Sequence, residues 1–123
     1  MNSTINIDVK TAYLAEQSQP EEDQFVFAYT ITIKNNGGKA AQLVSRYWHI
    51  VDGNNDVQEV QGIGVVGEQP RLESGESYTY TSGAILETAS GTMSGKYMMR
   101  YDDGEKFEAP IPVFALVQPQ SLH

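Results

Sequence analysis

Residues 25–38 read FVFAYTITIKNNGG, and their reading decides the fold. Phe25, Phe27, Tyr29, Ile31 and Ile33 occupy alternate positions, with Val26, Ala28, Thr30 and Thr32 between them. A period of two, in a run rich in aromatic and β-branched side chains, is what a strand with one buried face requires. A helix would scatter the same apolar residues around its circumference. Asn35 to Gly38 then supply the small and polar residues of a turn.

The same pattern recurs in both directions. Upstream, Ile5, Ile7 and Val9 alternate, and TAYL extends that strand; AEQSQPEEDQ, polar and interrupted by Pro20, reads as an exposed loop. Downstream, QLVSRYWHIVD places Val44, Trp48 and Ile50 on one face and Leu43, Tyr47 and Val51 on the other. GNND turns the chain into DVQEVQ, a short strand expected to pair back as a hairpin. SYTYTSG puts Tyr78 and Tyr80 on one face, and TMSGKYMMRY does the same for Met93, Gly95, Tyr97, Met99 and Tyr101. Asp103-Gly104 predicts a two-residue turn into EKFEAPIPVFALV, where Phe114 and Leu116 share a face. Pro110 and Pro112 lack an amide donor, so the beginning of that last strand belongs at an edge or outside the ladder. The tail QPQSLH is expected to be loose.

About seven strands follow, with no stretch of helical periodicity, so the chain is expected to be all-β, a single domain over residues 1–123. An immunoglobulin or fibronectin III-like β-sandwich suits the length, with a closed barrel as the alternative. Hydrophobic and charged fractions of 40% and 20% are those of an ordinary globular domain. The formal charge of −8 repels phosphate backbones and anionic lipid, so neither nucleic acid nor membrane is an expected partner. The absence of cysteine excludes disulfides, thiolate metal sites and a cysteine nucleophile. MNSTINIDVK has neither a basic n-region nor an apolar h-region, which points to the cytoplasm.

Within QGIGVVGEQP, residues 61–70, Gly62, Gly64 and Gly67 carry the spacing G-x-G-x-x-G. In dinucleotide-binding folds that spacing lies between a strand and a helix whose N-terminus meets the pyrophosphate. No helix follows here, since Pro70, Gly75 and alternating tyrosines come next. Two roles remain for Gly62, Gly64 and Gly67: a phosphate or ligand-binding turn of backbone amides, with Arg71 nearby, or a bulge and close approach of backbone.

Asp52, Asn54 and Asp56 share the start of a calcium loop, but Val57 and Ile63 stand where the loop needs its glycine and its bidentate glutamate. A hairpin turn is the better reading. Asp102, Asp103 and Glu105 make a second acidic turn, so weak binding of a divalent cation is the most that is expected, with no resident cofactor. The histidines, His49 and His123, do not assemble a transition-metal site, and no G-x-S-x-G elbow accompanies the serines; no enzyme is expected. Trp48 reads as core. Arg46, on the same face, is open to three roles: snorkelling from the sandwich edge, a buried ion pair, or a recognition contact.

VFAYTITIKN, SRYWHIVD, VQEV, GVVGEQP, YTYTSG, GTMSGKYMM and FEAPIPVFAL, taken in order, resemble the successive motifs of the ApaG family, the ApaG/CorD-like domain. GVVGEQPRL followed by YTSG and G-x-M-x-G-x-Y is the most specific part. The resemblance implies a fibronectin III-like sandwich without catalysis, an association with cobalt and magnesium tolerance or efflux, and protein–protein interaction as the expected job. It places the family's glycines on Gly62, Gly64 and Gly67 and its Gln-Pro on Gln69-Pro70. Tyr47 stands where members often carry histidine, Ser74 where proline is usual, and Ala89 where proline is common. An unidentified protein partner is therefore expected, and the sheet edges allow a weak homodimer.

Overall fold

The structure, a computed structural model, describes residues 4–119; His123 and the last residues of the tail lie outside the described residues. In chain order the strands are β1 (Ile5–Tyr13), β2 (Phe25–Asn35), β3 (Ala41–Asp52), β4 (Val57–Ile63), β5 (Arg71–Leu72), β6 (Ser77–Leu86), β7 (Ser90–Tyr101) and β8 (Lys106–Val117). The alternating residues of the opening stretch become β2, the centre of a three-stranded sheet ordered β1-β2-β6. The other sheet runs β4-β3-β7-β8, with the two-residue β5 against the start of β3. Every pairing is antiparallel. No strand pair joins one sheet to the other among the described residues, so this is an immunoglobulin/fibronectin III-like sandwich and not a closed barrel. The acidic loop before β2 holds two single 3-10 turns, Ala15–Gln17 and Pro20–Glu22, neither of which buries a residue. No helix among the described residues is long and apolar enough to cross a membrane.

The two inner faces meet in one core. Phe27, Ile31 and Ile33 of β2 are buried against Leu43 and Trp48 of β3, Met93, Tyr97 and Met99 of β7 and Leu116 of β8. Trp48, only 2% exposed, packs edge-on to Tyr29 of the opposite sheet at 5.3 Å between ring centroids, and to Phe114 at 5.9 Å. Gly95 lies opposite Trp48 in the ladder; a Cβ there would sit 2.0 Å from the Tyr47 carbonyl oxygen, which leaves no residue but glycine.

Three local geometries differ from what the sequence pattern suggests. In β3 the partners shift between Leu43 and Ser45, a bulge that leaves Val44 half-buried and turns Leu43 to the core beside Trp48 and Ile50. The face assigned to Val44 thus belongs to Leu43, because an inserted residue resets the period of two. The β7–β8 turn has three residues rather than two: the Tyr101 N–H donates to Glu105 O, and Gly104 takes φ +93°. That is a type I turn closed by a left-handed residue, which asks for positive φ at one position only. Gln118 is not loose, since its N–H donates to Ala89 O at 2.9 Å. Pro110 and Pro112 do fall on an edge, within β8.

A side-chain pair crosses the core: the Tyr80 and Tyr97 hydroxyls lie 2.6 Å apart, joining the sheets. Burial first of all pushes both phenols well above their ordinary range. Tyr97→Phe leaves the Tyr80 hydroxyl buried without its partner and is expected to destabilise by about 1–3 kcal/mol, while the double Phe variant costs less than the sum of the singles. Urea unfolding of the three variants checks this. Because both folded pKa values lie above the unfolded one, this part of the stability is intact below about pH 10 and is lost as pH rises further. Tyrosinate absorbance should show these two rings ionising only with unfolding.

Candidate functional site

Gly62 is the middle of the arrangement at the end of β4. It lies opposite Arg46, and a Cβ on it would be 2.7 Å from Arg46 Nη1. The missing side chain lets the guanidinium cross over the strand, where Nη1 donates to Gly64 O at 2.8 Å and Ile63 O at 3.3 Å. Arg46 therefore snorkels: its stem shares the inward side of β3 with Trp48 and its head reaches the sandwich edge. It forms an ion pair with no carboxylate among the described residues.

Beyond Gly62 the chain makes a tight turn, Val65 to Glu68, closed by reciprocal N–H···O bonds of 2.8 Å. Val66 and Gly67 take φ +41° and +82°, and Gly64 takes +66° with the Glu68 oxygen 2.3 Å from where a Cβ would stand. Gly64 is thus a close approach of backbone and Gly67 a left-handed turn position. The Gly64 N–H donates to Val44 O, and the Val65 and Glu68 amides bond each other's carbonyls. The Gly64, Val65 and Glu68 amides are therefore not free to converge on an anion, which leaves those of Val66 and Gly67. Arg71, expected as an aid there, instead grips Asp102 through two nitrogens and Glu73 through a third.

Across β4, β3 and β7, before this turn, lies a groove of about 360 Å³ lined by Arg46, Tyr47, Gly62, Ile63, Lys96 and Met98. The Tyr47 hydroxyl donates to Glu59 Oε2 at 2.7 Å, and that carboxylate acceptor raises the phenol's pKa. Lys96 pairs with Glu108 at 3.0 Å and lies 5.8 Å from the Tyr47 ring centre. Ile63, 77% exposed, forms an apolar lip. Arginine, tyrosine and methionine around an exposed isoleucine are the composition of a recognition surface.

The acidic turns separate into two kinds. Asp52 Oδ1 accepts the N–H groups of Asn54 and Asp56 at 2.8 and 3.0 Å, so the D-x-N-x-D spacing serves a side-chain-stabilised hairpin turn. Carboxylate oxygens of Asp52, Asp56 and Glu87 nevertheless lie within 4.8 Å of one another, in a cleft of about 640 Å³ that Glu22 and Asp23 also line. Such an all-oxygen set suits a hard cation. Glu87 went unnoticed in the sequence, and no local signal could have revealed it, because it arrives from the β6–β7 turn. In the second acidic turn Arg71 holds the Asp102 carboxyl below its usual pKa, and Asp103 lies 3.8 Å from Lys39. His49 is apart from both, with Nδ1 3.8 Å from Glu59.

The sequence pattern of the ApaG domain matches residues 15–101. Protein ApaG of Thiobacillus denitrificans is 60% identical over 119 residues, covering 97% of this chain and 94% of that protein. The Dechloromonas aromatica Protein ApaG is 58% identical over the same length and coverage. A crystal structure of a Bordetella pertussis protein described as ApaA aligns with a TM-score of 0.92 at 48% identity, covering 95% of both chains.

Val66 is β-branched and sits at φ +41°, where a residue other than glycine or asparagine is strained. Val66→Asn is expected to raise stability by about 1 kcal/mol. Gly64→Ala, which meets both a positive φ and backbone oxygen, is expected to lower it by more than about 2 kcal/mol. Paired denaturant titrations read both signs.

Proposed function

The chain belongs to the ApaG family, and on that premise we propose that it is a non-enzymatic binding module of the cytoplasm. Its exposed loops and sheet edges engage a protein partner, in a role tied to cobalt and magnesium tolerance. The observation that carries the reading is a run of exposed apolar side chains in one short segment: Val57 (54% exposed), Val60 (39%), Ile63 (77%) and Val66 (54%). Ile63 among them lines the groove that holds Arg46, Tyr47 and Met98. Large apolar side chains left exposed along one edge strand and the turn after it mark a docking surface. The test is a pull-down from native extract with the wild-type chain and the Ile63→Asp variant. A protein retained by the first is expected to fall at least about tenfold with the second; equal recovery by both, or no enrichment over control, rejects the reading.

A second reading has its own observation. The Arg46 head lacks a carboxylate partner among the described residues and bonds the Gly64 carbonyl, and in the turn that follows the Val66 and Gly67 amides donate no hydrogen bond. This favours a small-ligand sensor that takes phosphate or a nucleotide polyphosphate at the Gly62, Gly64 and Gly67 segment, with a divalent cation at Asp52, Asp56 and Glu87. Titrating pyrophosphate, dinucleoside polyphosphates, Mg²⁺ and Co²⁺ into labelled protein is expected to move the Val66 and Gly67 amides with the anions. The cations should move the Asp52 to Asp56 turn. A flat response retires this reading.

A further inference from the structure

Strand β4 is an open edge whose sequence is complementary to itself. The Asp52 N–H donates to Asp56 O and the Gly64 N–H to Val44 O, in the same register that sets Val51 opposite Val57. Hydrogen-bonded and non-hydrogen-bonded pairs alternate along an antiparallel ladder. Val57, Glu59, Gln61 and Ile63 therefore turn their N–H and C=O groups away from β3, toward the open side. Arg46 covers just one of these groups, the Ile63 carbonyl, at 3.3 Å. A carbonyl keeps a second lone pair for another donor.

Edges that must stay unpaired carry proline, lysine or bulges. The β8 edge has Pro110 and Pro112, and β1 has Asp8 and Lys10. β4 has neither proline nor lysine, and it exposes Val57, Val60 and Ile63. The β6 edge likewise has no proline or lysine, but Ile85 is its sole large exposed apolar residue among the described ones.

We propose that two copies of this chain pair antiparallel through β4 about a two-fold axis at Val60, joining their larger sheets into one. In this register Val57 faces Ile63 of the second copy, Val60 faces Val60, and Glu59 faces Gln61. The outward pairs each exchange two N–H···O bonds. A slip of two residues one way sets Glu59 against Glu59, which like-charge repulsion disfavours; the other way sets Val57 against Val65, which is buried in the turn beyond the end of β4. One strand pair buries less than the roughly 1,200 Å² of a standard interface, so the dimer is weak. Each copy carries −8, so salt strengthens the association by screening that repulsion. This pairing draws on Val57, Val60 and Ile63, as the protein partner proposed above does, but it is tested on the purified chain alone, so the two can fail separately.

The register gives a specific test, because the chain has no native cysteine. Val60 would face its own copy in a non-hydrogen-bonded pair, with Cα atoms about 4.5 Å apart, inside disulfide range. Under mild oxidation Val60→Cys is expected to form a covalent dimer at least about tenfold faster than Thr81→Cys on the β6 edge. Gln61→Pro removes an outward N–H that the fold does not use, and is expected to weaken dimerisation at least about tenfold in sedimentation equilibrium while the thermal transition persists. Wild-type mass should rise with concentration, and more steeply in high salt. A monomer at every concentration together with equal cross-linking of the two cysteine variants overturns the proposal. So does faster cross-linking of Thr81→Cys, which would assign β6 instead.

Discussion

The packing of the Trp48 indole between the sheets is the contact on which the rest of the structure depends. The ring reaches from β3 to Tyr29 on the opposite sheet and meets Tyr97 and Phe114 on its own. A ring of this size fixes how closely the inner faces approach, and each neighbouring aromatic then falls into tilted or edge-on contact, the favoured geometry. The Tyr80–Tyr97 hydroxyl bridge forms across that same separation. Gly95, directly opposite Trp48, keeps the ladder closed where any side chain would strike the Tyr47 carbonyl.

The bulge at Val44 connects this core to the candidate site. The Val44 carbonyl, turned to the β4 side, accepts both the Gly64 N–H, at 2.9 Å, and the Gln69 side-chain amide, at 3.0 Å. The Leu43 N–H donates to Pro70 O, and the Gln42 side chain to Gln69 O. The segment from Gly62 to Pro70 is therefore strapped along β3, with its glycines shaping the fold and its outer surface, Ile63 and Val66, left to solvent. Its polar backbone is largely engaged with the protein's own carbonyls, so what it offers a partner is apolar surface beside the Arg46 head.

Much of this was legible in the residues. The alternation of Phe25 to Ile33, of Met93 to Tyr101 and of Phe114 with Leu116 is the direct imprint of a sheet with one buried face, because successive side chains of a strand point to opposite sides. The glycines of the candidate site could be located as well. Their job could not, because it depends on which carbonyls and which guanidinium come to lie beside them. The same limit applies to the acidic cleft, where Asp52 and Asp56 are neighbours in sequence and Glu87 is not.

By itself, then, the sequence determined the all-β class, the inward residues of most strands, the edge position of the proline-bearing strand and the family motifs. These follow from periodicity and from backbone chemistry that each residue carries wherever it sits. Tertiary structure alone decided that Leu43 rather than Val44 enters the core, that Arg46 bonds carbonyls instead of a carboxylate, and that β4 is left open. A bulge, a snorkelling cation and a free edge are properties of which strands become neighbours, and long-range pairing sets that order.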